Sequence, residues 1–151
     1  MERCPPSRWN AVRHHSGMVS GMAWNTHPCT AADLSASDIS RLLGVQISKV
    51  TTERSKADAR SSDTTYLSSN GDPVLILHRG HPSLWAGTRD AVAGMSKPFP
   101  GVSQAYRVDQ VGMVCAPGGS AFVCVTPSVH YLMTNTKPSD AALLSIIKAA
   151  L

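Results

Sequence analysis

Residues 113–125 read Met-Val-Cys-Ala-Pro-Gly-Gly-Ser-Ala-Phe-Val-Cys-Val. Two apolar runs flank a glycine-containing turn, and each run carries one cysteine. A two-residue turn at Gly119-Ser120 makes this stretch a β-hairpin and sets Cys115 directly opposite Cys124. In a non-hydrogen-bonded antiparallel pair that position suits a disulfide. Closing so small a loop would stabilise the hairpin by about 2 kcal/mol. The alternative is two reduced, buried thiols packed as small apolar side chains. The spacing is unlike Cys-x-x-Cys, which argues against thioredoxin-type chemistry.

Working outward, 107–115 reads as one strand, 121–126 as its partner, and 129–133 as a third strand after Pro127. Pro138 opens a helix in which Leu143, Leu144, Ile147, Ala150 and Leu151 can face a core. Towards the N-terminus, 97–101, with Pro98 and Pro100, is a rigid connector. Pro82-Ser83 starts a helix with Leu84, Thr88, Ala91, Val92 and Met95 on one face. Tyr66-Leu67, the Asn70-Gly71-Asp72 turn and 73–77 form a second hairpin. Val74-Leu75-Ile76-Leu77 has no polar face, which places that strand centrally, covered on both sides. Residues 52–63 read as a loop and 45–51 as a strand. Residues 34–44 read as a short helix, with a capping serine, an acid three positions on and a closing glycine. The order helix, strands, helix, strands, helix predicts an α+β domain: a largely antiparallel sheet with three helices packed on it.

Residues 1–28 contain Pro5-Pro6, Gly17, Gly21 and Pro28 without a sustained period, and read as a disordered or non-native extension. The single domain is expected over 29–151. The extension carries Arg3, Arg8 and Arg13 against Glu2, half of the net charge of +4. The remainder is therefore not a basic domain, and nucleic-acid binding lacks its concentrated cationic face. Charged residues are 16% of the chain, against roughly 25% in an average soluble protein. That composition points to an extracytoplasmic protein. No signal peptide is evident, since the apolar residues near the N-terminus are broken by Ser20 and Gly21. No apolar run reaches the roughly 18 residues of a membrane span, so an integral membrane protein is not expected.

Cys29 before the short helix Asp38-Ile39-Ser40-Arg41-Leu42-Leu43-Gly44-Val45 resembles the start of small actinobacterial cell-envelope lipoproteins of uncharacterised function. The stretch Pro100-Gly101-Val102-Ser103-Gln104-Ala105-Tyr106 is similar to the connector before their last hairpin. No lipobox precedes Cys29; His27-Pro28 stands where small residues would be. The resemblance, over about residues 29–151, implies an exported, non-enzymatic binding or accessory domain.

Chemistry-bearing residues are few. His78-Arg79-Gly80-His81 follows the apolar strand and precedes a helix, where loop residues often line a site. His-x-x-His in a loop lacks the helical spacing and intervening Glu of a zinc hydrolase, so no metal and no cofactor is expected. Trp85 is either an exposed anchor or a core-edge residue, and Trp and Arg are the types enriched at interaction hot spots. His78, Arg79, His81, Trp85 and Arg89 are accordingly the candidate binding residues, with a protein or envelope component as partner. A turn explains Gly118-Gly119 without an anion site. Gly-x-Ser-x-Gly, the P-loop and the dinucleotide fingerprint are absent. The competing expectation is a cytosolic enzyme pairing Cys29 with His78, His81 or His130, and a third is a ligand carrier with a pocket between the sheet and the second helix.

Overall fold

The computed structural model describes residues 34–56, 58–134 and 137–151. Its first element, helix α1 (Ala36–Leu43), shows why a short polar sequence holds a helix. Ser35 accepts from the Asp38 backbone N–H while Asp38 accepts from the Ser35 N–H, a reciprocal box that satisfies two otherwise orphaned donors. Gly44 ends the helix at φ 72°, where a side chain would be strained.

Seven strands follow: β1 (Ile47–Arg54), β2 (Ser62–Ser68), β3 (Pro73–Gly80), β4 (Ser96–Pro98), β5 (Tyr106–Val108), β6 (Met113–Pro117) and β7 (Phe122–Pro127). They form one sheet of order β1-β2-β3-β7-β6-β5-β4, with every neighbouring pair antiparallel. Between β3 and β4 stand a 3-10 turn (Pro82–Leu84) and helix α2 (Trp85–Ala91); helices α3 (Val129–Thr134) and α4 (Asp140–Ala150) follow β7. The architecture is α+β with an antiparallel sheet, as expected. Among the described residues there are four α-helices rather than three.

Four expectations are corrected. The fourth helix is the stretch read as a third strand: Val129–Thr134 is helical because Ser128 caps it, its hydroxyl accepting from the Tyr131 N–H at 3.0 Å and donating to the Pro73 carbonyl. Residues 107–115 are not one strand but parts of two, split at a turn in which Gly112 takes φ 69°. The loop expected over 52–63 is shorter, since β1 runs to Arg54 and β2 begins at Ser62. The connector at 97–101 instead begins in edge strand β4. The hairpin register stands: Val114 pairs Val125 and Cys115 pairs Cys124.

The sheet's two faces are filled differently. On one, Leu75, Leu77, Val114, Ala116, Val123 and Val125 meet Ile39 of α1 and Leu143, Ile146, Ile147 and Ala150 of α4 in a continuous aliphatic core. Arg107 ties this layer to the sheet, pairing with Asp140 at the start of α4 (2.9 Å) and with Asp109 (2.7 Å). On the other, a smaller cluster joins Tyr106, Val108, Cys115, Phe122 and Cys124, with Trp85, Val92 and Met113 packed against it. β3 lies inside the sheet as expected, third in order, with Val74, Leu75 and Leu77 buried, but it is not covered fully on both sides, since Ile76 is only half-buried. The described residues make up the unit Leu34–Leu151. The boundary expected at Cys29, and Cys4 and Cys29 themselves, lie outside them. Among the described residues no helix is long and apolar enough to cross a membrane.

Candidate functional site

The hairpin brings Cys115 and Cys124 to a Cα separation of 4.0 Å and joins them in a disulfide. The Gly118 N–H donates to the Ala121 carbonyl at 2.9 Å, closing the turn with a hydrogen-bonded pair. Alternation along the ladder then makes Cys115 and Cys124 a non-hydrogen-bonded pair, the type with the closest side chains.

The bridge sits in a lateral row across six strands. Successive pairings align Glu53, Asp63, His78, Cys124, Cys115 and Tyr106. The next row aligns Thr51, Thr65, Ile76 and Thr126. Side chains opposite one another in such rows share a face, so the half of the face over β1, β2 and β3 displays threonines, two carboxylates and an imidazole. His78 Nδ1 lies 2.6 Å from Asp63 Oδ1, and the His78 ring is 5.7 Å from that of Phe122. Glu53 stands directly beside Asp63 in the ladder, like charge against like.

Over β5 and β6 the same face is covered by Trp85. Its ring lies 5.5 Å from Tyr106 and 5.6 Å from Phe122. The Trp85 Nε1 and the Tyr106 hydroxyl are both buried without a hydrogen-bond partner, an uncommon state for buried donors. Burial pushes the Tyr106 phenol above its ordinary range, and the charge of Arg89 pulls it partly back. The flanks of α2 add little cover: Leu84 before it and Met95 after it, expected on a buried face, are exposed.

The five candidate binding residues do not form one site. His78, Trp85 and Arg89 lie on or beside the face bearing the disulfide. His81 caps the 3-10 turn, its Nδ1 accepting from the Ser83 N–H at 3.2 Å. Arg79 points the other way, where its Nη2 donates to the Ala150 carbonyl of α4 at 2.9 Å. Trp85 is half-buried, so it serves at the core's edge. Asp63 was missed as the neighbour of His78, and Glu53 as the next residue in that row, because only the strand register brings them together; an odd-even reading of 62–68 against 73–80 would have found Asp63. Among the described residues no three His, Cys, Asp or Glu side chains gather in a group able to hold a metal.

A cavity of about 330 Å³ lies in the helical layer instead of under α2. It is lined by Leu42 of α1 and Val45 just after it, Tyr131 of α3, and Lys137, Ser139 and Ala142 around the start of α4.

No protein-family model matches the chain, and neither a curated protein nor a solved structure matches it.

Proposed function

We propose that the Leu34–Leu151 unit is a small exported, non-catalytic binding or accessory domain whose partner is a protein or a cell-envelope component. The observation that carries this reading is a disulfide on a sheet face that, among the described residues, helices leave half uncovered. Stable disulfides belong to oxidising compartments. A polar face over β1 to β3, bordered by Trp85 and Arg89, offers donors, acceptors and an aromatic edge to a broad partner. The resemblance to small envelope lipoproteins points the same way. His78, His81, Trp85 and Arg89 border the proposed surface; Arg79 supports α4 from the opposite side.

The competing thiol enzyme would rest on Cys29, since Cys115 and Cys124 are joined to each other. The discriminating experiment has two parts. Peptide mapping of alkylated thiols on protein from its native compartment is expected to recover the Cys115–Cys124 bridge; two free thiols there would remove the case for export. A photo-reactive side chain placed at Thr65 or at Arg89, in a native envelope fraction, is expected to form the same adduct. Ala141, exposed on α4, is the control. Equal labelling at all three positions, or none, would defeat the binding reading.

A further inference from the structure

The two edges of the sheet are built to different rules. β4 is three residues long and ends in Pro98, which has no N–H to offer a further strand. β1 is eight residues long, contains no proline, and is exposed over nearly all of its length. Its one irregularity lies between Ile47 and Lys49; from Lys49 to Arg54 it is regular. Among the described residues no strand pairs with its outer side. A long regular edge of this kind is a template for another strand unless something fills it.

The sequence of that edge is complementary to itself. The Ser55 N–H donates to the Ser61 carbonyl, so alternation turns the backbone groups of Lys49, Thr51 and Glu53 towards β2 and those of Val50, Thr52 and Arg54 outward. An antiparallel copy centred on Thr51 therefore sets Val50 and Thr52 of one chain against Thr52 and Val50 of the other, making about four backbone hydrogen bonds. The same register places Lys49 against Glu53 twice, in the non-hydrogen-bonded positions where side chains are closest. Lys49 and Glu53 are exposed and have no ion-pair partner among the described residues. Glu53 also stands beside Asp63, so a lysine arriving there relieves a like-charge contact. Shifting the centre to Thr52 keeps the hydrogen bonds but sets Glu53 against Thr51 and loses both charge pairs.

We infer that β1 is a self-association edge, on which a second copy of this chain pairs antiparallel about Thr51 to continue the sheet through both molecules. The twofold axis runs through the sheet, so the uncovered polar faces of the two copies join into one surface. The inference does not depend on what that surface binds. Strand-to-strand contact alone buries little area, which sets the dimer at the weak end of specific association.

Sedimentation equilibrium of the full chain between about 10 µM and 1 mM is the test, since weak interfaces fall in that range. A monomer–dimer equilibrium is expected. Lys49→Glu and Glu53→Lys should each weaken it by about tenfold, as two attractive pairs become repulsive, and the double swap should return it to within about threefold of the parent. Thr52→Pro removes an outward N–H, together with the hydroxyl contact to Thr64, and should abolish the dimer. Glu53→Lys should at the same time leave the dilute monomer's Tm unchanged or raised, because the contact with Asp63 is relieved; loss of fold is thereby separated from loss of interface. Thr51→Cys should give a covalent dimer on mild oxidation, with the unsubstituted chain and Ala141→Cys as controls. A chain monomeric at all concentrations, a dimer indifferent to the charge reversals, or no cross-link through Thr51→Cys would each overturn the inference.

Discussion

On one face of the sheet Leu75, Leu77, Val114, Val123 and Val125 are sealed by α1 and α4; on the other, Cys115, Cys124, Tyr106 and Phe122 are buried in a smaller cluster against which, among the described residues, Trp85, Val92 and Met113 pack. The first face is held by area. Its residues are aliphatic, nearly all fully buried, and need no specific geometry beyond complementary volume. The second face is held by individual contacts: one covalent bridge, three aromatic rings meeting at tilted angles, and a glycine whose missing side chain makes room for one of them. At Gly80 a methyl group would fall on the Phe122 ring. A face held by area spreads its stability over many residues, whereas a face held by contacts rests on a few specific ones.

Ordered by size of effect, the comparison breaks first on the aliphatic side. Ile146→Ala opens a cavity under α4 and is expected to cost about 3 kcal/mol, measured as a fall in the midpoint of chemical denaturation. On the other face, Cys115→Ala with Cys124→Ala removes the bridge and is expected to cost about 2 kcal/mol, with near-native far-UV circular dichroism retained because the α4 core is untouched. A loss larger than that from Ile146→Ala would reverse the ranking of the two faces.

Tyr106→Phe sharpens the comparison in the opposite direction. It deletes a buried hydroxyl that has no partner, and is expected to stabilise by about 1 kcal/mol. The same change has a pH signature. Burial raises the folded-state pKa of Tyr106, so the native state retains the proton more tightly than the unfolded chain does. Its neutral form supports folding below the unfolded tyrosine value, near 10, and that support is lost as pH rises through the folded value. Tyr106→Phe should therefore blunt the fall in Tm above about pH 10. An unchanged alkaline limb would mean that the hydroxyl is solvated in solution.

The smallest effect is expected at the uncovered half of that face. His78→Ala loses a partly exposed contact to Asp63 and should change stability by no more than about 0.5 kcal/mol. A loss several times larger would place His78 in the fold's support and remove it from a surface available to a partner.

How much of this was legible differs from element to element. Ser35, Asp38 and Gly44 specify α1 locally, and the helix stands where its sequence places it. The Cys115–Cys124 register was readable because a two-residue turn and the period of a strand leave one pairing. The segment 129–133 was misread because Val, Tyr and the preceding Pro127 favour a strand, while the deciding cap is the single hydroxyl of Ser128, itself held by Pro73 from a distant strand. The break at 109–112 was marked by Asp109 and Gly112, a weaker signal than the apolar residues on either side. Of the candidate site, residue types were visible but faces were not: His78 and Arg79 are adjacent in sequence and point to opposite sides of the sheet.

The sequence by itself determined the α+β class, the caps of α1, the hairpin and the pairing of its two cysteines, because each depends on residues within a few positions of one another. Only the tertiary structure decided that β7 joins β3, that Arg79 faces α4 while His78 joins Asp63, and that, among the described residues, β1 is a long edge without a further strand at the opposite end of the sheet from the short edge β4. These depend on which strands become neighbours, and that choice is made by burying the whole aliphatic face at once, a sum over the chain that no local pattern carries.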